Sequence, residues 1–312
     1  MRDGGSDQLL PGSRVAFLVG AGRSGTTLLY KLLCLHPQIA YISNYENRIR
    51  WFPDGMAGGW VAGRLEDKLS AWFHKGGNAY FINRPWLKKI FPTPHEGESV
   101  FKSSGVPLFP AADYMPDAPT GARLRRRFEQ IRKRSGASVF LSKRTANNRR
   151  IRQLSAIFPA ARYVHLVRDG REVAQSLSTV EWWDGHTVWW DGRTPLQMEQ
   201  AGEARLAVCA RNWAREMQEL RVQLAPIDRD KLLELRFEDL LGDPLHHLER
   251  VVRFLNIDFS AAYRSAIESL QLRPVGAKWE SEWDTRQLAC VLKETQPTLL
   301  DLGYAVEPAN AR

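Results

Sequence analysis

The apolar run Val15-Ala16-Phe17-Leu18-Val19 passes directly into Gly20-Ala21-Gly22-Arg23-Ser24-Gly25, then into Thr26-Thr27 and a leucine-spaced segment. A continuous β-branched and aromatic run bounded by glycine reads as a strand buried on both faces of a parallel sheet. Leu28, Leu29, Leu32 and Leu33 recur at helical spacing over Thr26–Leu35, and His36-Pro37 closes that helix, because the residue before proline is driven out of the α region. Strand, glycine loop and helix in this order build an anion cradle. Glycines let backbone N–H groups turn inward, and the helix N-terminus adds unpaired donors and partial positive charge. Thr26 and Thr27 add hydroxyls, and Arg23 adds a fork of charge-assisted bonds.

The rest of the chain repeats the alternation. Val139–Leu141, Arg162–Val167 and Leu232–Leu235 read as further strands. Arg123–Ser135, Ile151–Phe158, Glu172–Ser178, Glu199–Leu224 and Leu245–Leu255 read as helices. Strands alternating with helices predict a P-loop-like three-layer α/β fold, a central parallel sheet flanked by helices. Residues 51–120, rich in Pro, Gly and aromatics, are expected to form loops and short helices, and residues 182–197 an aromatic loop. Residues 1–13 read as a flexible N-terminus and 14–312 as a single domain.

Composition narrows the partners. The formal net charge of +9 suits an anionic ligand. The densest basic stretch, Arg123-Leu124-Arg125-Arg126-Arg127-Phe128 through Arg132-Lys133-Arg134, reads either as a solvated helix face or as a binding patch. Cys34, Cys209 and Cys290 fit neither a disulfide framework nor a zinc pattern, and are expected to be small buried hydrophobes. No apolar run reaches the ~18 residues of a membrane span, and no export signal precedes Val15, so a cytoplasmic protein is expected.

The loop resembles a Walker A motif in its Gly20-x4-Gly25 spacing, but Thr26 stands where that motif has the lysine that reaches the terminal phosphates. A P-loop nucleotide kinase or NTPase-like enzyme is therefore one alternative, disfavoured by Thr26 although Asp169 offers a carboxylate. A nucleic-acid-binding module built on the basic helix is another. Arg168 closes the strand Arg162–Val167, where ligands bind in open parallel sheets, and Ser176 lies about two helical turns further on. Together the two suit a second phosphate beside the first.

These residues resemble the sulfotransferases that use 3′-phosphoadenosine 5′-phosphosulfate (PAPS), in the branch whose loop reads Pro-Arg-Ser-Gly-Thr-Thr and which contains carbohydrate, protein-tyrosine and bacterial small-molecule sulfotransferases. Gly20 to Leu29 is similar to their 5′-phosphosulfate loop, with Gly22 in place of proline, and Leu166 to Ser176 to their 3′-phosphate motif. Ser142-Lys143-Arg144-Thr145-Ala146-Asn147 is similar to a Lys-Thr-Pro-x-Asn loop, and Arg236-Phe237-Glu238-Asp239-Leu240 to a Tyr-Glu-Asp-Leu segment with Phe for Tyr. Gly276-Ala277-Lys278-Trp279 resembles the closing segment.

The resemblance implies in-line transfer of a sulfuryl group from PAPS to an acceptor hydroxyl or amine. The product is 3′-phosphoadenosine 5′-phosphate (PAP), and no metal is required. It assigns Gly22, Arg23, Ser24, Gly25, Thr26, Thr27, Arg168, Ser176, Phe237 and Lys278 to the nucleotide, and Arg23 and Lys143 to the leaving oxygen. Glu46, in Asn44-Tyr45-Glu46-Asn47-Arg48, is similar to a base glutamate of tyrosine-sulfating members, with His74 or His95 as the alternative base. Glu46, Arg48, Trp51 and the pairs Trp182-Trp183 and Trp189-Trp190 are expected to face the acceptor, with packing as the other reading of the tryptophans. Phe52 is expected beside Trp51. The expected partner is a small-molecule, carbohydrate or lipid acceptor, with no nucleic acid, no membrane span and room for a homo-oligomer.

Overall fold

The computed structural model describes residues 14–49, 53–73, 90–108, 114–274 and 277–306. The expected flexible terminus 1–13, Arg50, Trp51, Phe52, His74 and Gly276 lie outside the described residues. The sheet has five strands: β1 (Val15–Val19), β2 (Ile39–Ala40), β3 (Val139–Lys143), β4 (Arg162–Val167) and β5 (Leu232–Arg236). Their order is β2-β3-β1-β4-β5 and every pair is parallel.

Alternation of side chains across the sheet explains the two cores. Ala16 and Leu18 of β1 face one layer with Leu29, Leu33, Val164 and Leu166. Phe17 and Val19 face the other with Phe128, Phe140, Tyr163 and Trp213. Phe17 pairs in register with Tyr163, and their rings stack with centroids 5.6 Å apart. On the same face Phe128 lies 4.1 Å from Phe140 and 5.2 Å from Phe158, ring centre to ring centre. Burying such side chains stabilises by roughly 1.5–3 kcal/mol each. Because β1 is covered on both faces, its sequence has no polar position.

Several boundaries differ from the sequence expectation. The edge strand β2, two residues long, carries no period of its own. β3 runs on to Lys143, beyond the expected Leu141. The expected helix Glu199–Leu224 is two helices, Pro195–Gln200 and Arg205–Leu224. Gly202 breaks it with φ 92°, a left-handed conformation that glycine adopts without strain.

The basic helix, Ala118–Arg134, uses most of its guanidinium groups inside the protein. Arg123 donates to the Ser104 carbonyl, Arg125 to the Ile157 carbonyl and Arg134 to the Asp54 carbonyl. Arg127 forms a bidentate pair with Asp54, and Arg132 one with Glu129. The Arg132 pair lies within the helix and the others tie it to neighbouring segments, so most of the guanidinium charge of the patch is engaged inside the protein. No helix among the described residues is long and apolar enough to cross a membrane.

Candidate active site

The strand order turns around at β1, which lies between β3 and β4 while β2 sits beyond β3. In open parallel sheets such a switch leaves a crevice at the carboxyl ends of the strands. Register brings four segments to that edge. Lys143 of β3 lies abreast of Leu18, and Arg236 of β5 abreast of Val167. The loop after β1, Lys143, Arg168 and Phe237 thus converge although they are widely separated in the chain.

The loop geometry is dictated by close approaches. A Cβ on Gly20 would stand 2.5 Å from the Leu166 carbonyl oxygen, and one on Gly25 2.2 Å from the Phe237 ring. Gly25 caps the Thr26–Cys34 helix with φ 85°, and the first-turn N–H groups of a helix have no intrahelical acceptor. Arg23 holds the left-handed conformation at φ 68°, a strained position for a residue with a side chain. The Arg168 Nη1 donates to the Arg23 carbonyl at 3.1 Å and so fixes it. Arg23 Nε donates in turn to Ser176 Oγ at 3.0 Å.

Two guanidinium groups therefore share one edge of the loop. Burial, and then the like charge of Arg168, hold the Arg23 pKa below its ordinary value. That repulsion is relieved by an anion between them. Arg168 is aimed by Glu172, 3.1 Å from its Nη2, and lies over the Phe237 ring at 4.6 Å. Burial raises the Glu172 pKa, with Arg168 opposing. Asp169, the carboxylate available to a kinase-like reading, is instead committed. It caps the Gly170–Ser178 helix through Arg171 N and grips the Arg171 guanidinium at 2.6–3.2 Å.

On the other side of the loop Lys143, 5 % exposed, donates to Thr27 Oγ1 at 3.2 Å and to Glu96 Oε1 at 2.5 Å. Burial pushes the Glu96 carboxyl up, but the contact with Lys143, helped by Arg144, outweighs it and holds the pKa below the usual range. Arg144 approaches Glu96 at 3.6 Å and Glu98 at 2.6 Å.

All of this opens into one cleft of about 990 Å³, at the upper end of the range of about 300–1,000 Å³ usual for ligand sites. Gly22, Arg23, Gly25, Thr26, Thr27, Lys143, Arg168, Ser176, Phe237 and Lys278 line it, as do Trp182, Trp183 and Trp189. Of the loop residues assigned from sequence, Ser24 does not line the cleft. It is fully buried, and its Oγ has no hydrogen-bond partner among the described residues.

Glu46 and Arg48 also stand outside it. Glu46 is 3 % exposed and closes a capping box. Its carboxylate accepts from Ser43 N and Ser43 Oγ through one oxygen and from Gly55 N through the other. Burial raises its pKa, against those bonds. A carboxylate so occupied shapes the start of the Asn44–Arg48 helix and does not line the cleft. Arg48 is exposed at the end of that helix. His95 is held by Gly97 N at 3.0 Å on Nδ1, with Nε2 3.4 Å from Asn47 Nδ2.

The site also holds residues the sequence did not point to. Glu96, Leu108, Arg149, Glu172, His186 and Glu216 line the cleft. Glu216, 4 % exposed, accepts from Arg149 Nη1 and Trp189 Nε1 at 2.6 Å each, and from Asn148 Nδ2 at 2.8 Å.

The profile of the Sulfotransferase family matches residues 16–261, and the chain belongs to that family. It is a PAPS-dependent sulfotransferase. The omega-hydroxy-beta-dihydromenaquinone-9 sulfotransferase Stf3 of Mycobacterium tuberculosis is 24 % identical, over 95 % of this chain and 77 % of Stf3; the Mycobacterium bovis Stf3 gives the same figures. Among solved structures, sulfotransferase STF9 from Mycobacterium avium is similar with a TM-score of 0.55 at 12 % identity, over 95 % of this chain and 78 % of that one. The sulfotransferase domain from the curacin biosynthetic pathway is similar with a TM-score of 0.50 at 16 % identity, over 96 % of this chain and 99 % of that one. At these identities the solved structures establish the fold alone.

Proposed function

We propose that the cleft seats PAPS along the ends of β1, β4 and β5 and a small-molecule hydroxyl acceptor beside Glu96, and that Glu96 rather than Glu46 is the base. The observation that carries the reading is Lys143, which bridges Thr27 at the mouth of the nucleotide loop and Glu96 in the acceptor half. PAPS supplies an activated sulfuryl group. The residues fit it: a loop whose Gly20 and Gly25 leave no room for a Cβ, an Arg23 guanidinium that pairs with no carboxylate among the described residues and lies beside Arg168, and the Phe237 ring 4.6 Å from the Arg168 guanidinium.

In this assignment Arg168 and Ser176 hold the 3′-phosphate, and Lys278 covers it. The N–H groups at the start of the Thr26–Cys34 helix, with Arg23 and Lys143, meet the charge that grows on the bridging oxygen as its bond to sulfur breaks. The acceptor oxygen forms the new bond to sulfur and gives its proton to Glu96, which is ionised at neutral pH because Lys143 holds its pKa low. PAP and the sulfated acceptor leave. The Stf3 proteins bear the name of a hydroxylated menaquinone, which is a small-molecule precedent for the acceptor.

Thermal denaturation with PAP in the absence of Mg²⁺ tests the donor half, and labelled-PAPS transfer to a panel of sugars, phenols, lipids and peptides tests the whole. PAP should raise the melting temperature of the native chain and not of Arg168→Ala. A rise with Mg-ATP alone would reverse the reading in favour of a kinase-like enzyme.

A further inference from the structure

The two halves of the cleft differ in how their cations are balanced. In the donor half Arg168 has Glu172 at 3.1 Å, but Arg23 forms no ion pair with a carboxylate among the described residues; its neighbours are the Ser176 hydroxyl and the like charge of Arg168. That is a seat with positive charge to spare, as a polyanionic nucleotide requires. In the acceptor half Lys143, Arg144 and Arg149, the cations of that wall among the described residues, each have a carboxylate. Lys143 has Glu96 at 2.5 Å, Arg144 has Glu98 at 2.6 Å with Glu96 beyond, and Arg149 has Glu216 at 2.6 Å. Arg149 also lies over the Trp189 ring at 5.0 Å, so its face is covered as well.

Among the polar residues of the remaining wall stand Trp182 and Leu108, two exposed apolar side chains. Trp182, 56 % exposed, stands nearly perpendicular to both Trp183 and His186. Leu108, 36 % exposed, lines the same cleft. An open indole is a platform for a planar or apolar body. A carboxylate or sulfate on the acceptor would find these cations already paired and would face Glu96 and Glu216, a repulsive arrangement that selects against it.

Resting on the donor and acceptor halves proposed above, we infer that the acceptor is an uncharged aromatic alcohol or phenol, lying against Trp182 with its hydroxyl toward Glu96. The chemistry excludes anionic glycans and acidic peptides as good substrates.

Matched acceptors test it on the full chain with labelled PAPS: naphthol and naphthylmethanol against hydroxynaphthoate, which keeps the flat body and adds a carboxylate, and against methyl glucoside, which is neutral but not flat. The neutral aromatics should exceed both others in kcat/KM by about 10-fold or more. Trp182→Ala should raise KM for naphthol about 10-fold, with PAP affinity within about 2-fold of the native value. Glu216→Gln uncovers the Arg149 charge, so the ratio of naphthol to hydroxynaphthoate should narrow at least about 5-fold within that variant, a readout that loss of stability does not mimic.

Equal or better use of hydroxynaphthoate or methyl glucoside, an unchanged KM in Trp182→Ala, or no transfer to any neutral aromatic while PAP still raises the melting temperature, each overturns the inference and leaves the donor seat standing. If PAP has no effect on melting and nothing is sulfated, the donor reading falls and takes this inference with it.

Discussion

Asn148 holds Gly20 by both of its backbone polar groups: Gly20 N donates to Asn148 Oδ1 at 3.2 Å, and Asn148 Nδ2 donates to the Gly20 carbonyl at 3.0 Å. The same Nδ2 reaches Glu216 at 2.8 Å, so one buried amide joins the first residue of the nucleotide loop to the carboxylate that orients Trp189 and Arg149. Asn148→Asp puts an acceptor where a donor is needed, opposite both the Gly20 carbonyl and Glu216. It should cost about 2 kcal/mol or more in stability, as unsatisfied buried groups do, and weaken PAP binding. Urea unfolding and PAP titration read both. Native stability in that variant would mean the clamp is incidental.

Glu96 and Glu46 make opposite predictions under the same substitution. Glu96→Gln should lower kcat by roughly 10²-fold or more while PAP affinity changes little, because the proton acceptor is lost and the nucleotide seat is not. Glu46→Gln should act on stability instead, by about 1 kcal/mol, since an amide oxygen can keep the capping bond to Ser43 N but its NH2 then meets the Gly55 N–H. Steady-state kinetics on both variants, with melting curves, separate them. A collapse of kcat in Glu46→Gln at native stability would restore Glu46 as the base.

Gly25→Ala places a methyl group 2.2 Å from the Phe237 ring and does so at φ 85°. Left-handed backbone costs a residue with a Cβ roughly 1–2 kcal/mol, and the ring must also move from beneath Arg168. PAP binding should fall more than about 10-fold, measured by calorimetric titration, with the rest of the fold intact by circular dichroism. Binding within about 2-fold of native would mean that loop and ring yield without consequence.

Lys68 gives the chain a pH signature far from the cleft. It is 2 % exposed, donates to the Cys34 carbonyl at 3.1 Å and sits between the Tyr41 and Trp72 rings. Burial pushes its pKa down to about 8 from 10.5. The folded pKa is the lower one, so the unfolded chain binds more protons between those values and stability rises with pH through that window. Below pH 8 the full cost of the buried charge is present. The stability of Lys68→Met relative to the native chain should therefore decline by roughly 2 kcal/mol from pH 8 to pH 9.5, at about 1.4 kcal/mol per unit. Paired urea unfolding at the two pH values checks it, and a difference independent of pH contradicts it.

What could be read in advance was what is local. The strand Val15–Val19, its loop and the helix after it are contiguous, so periodicity and glycine placement carry them. Arg168 and Ser176 lie on one strand end and the helix that follows. Glu96 was not legible, because nothing near it in the chain is periodic and its partner Lys143 is 47 residues away. Only the sheet brings the two together. Glu46 carried a readable warning: Ser43 three residues before it is the pattern of a capping box, which uses up the carboxylate. Gly202 likewise marked the break in what reads as one long helix. The tryptophans divide as neither reading alone expected, Trp183 packed at 2 % exposure and Trp182 open.

β1 comes first in the chain and lies in the middle of the sheet, with partners that begin at Val139 and Arg162. During synthesis this most apolar strand therefore waits for more than a hundred residues before either neighbour exists. Such long-range pairing folds slowly and leaves sticky surface uncovered meanwhile. Truncated forms ending before β4 would carry the complete glycine loop yet have one flank of it bare, and should be recovered as aggregates or with chaperones rather than as nucleotide-binding fragments.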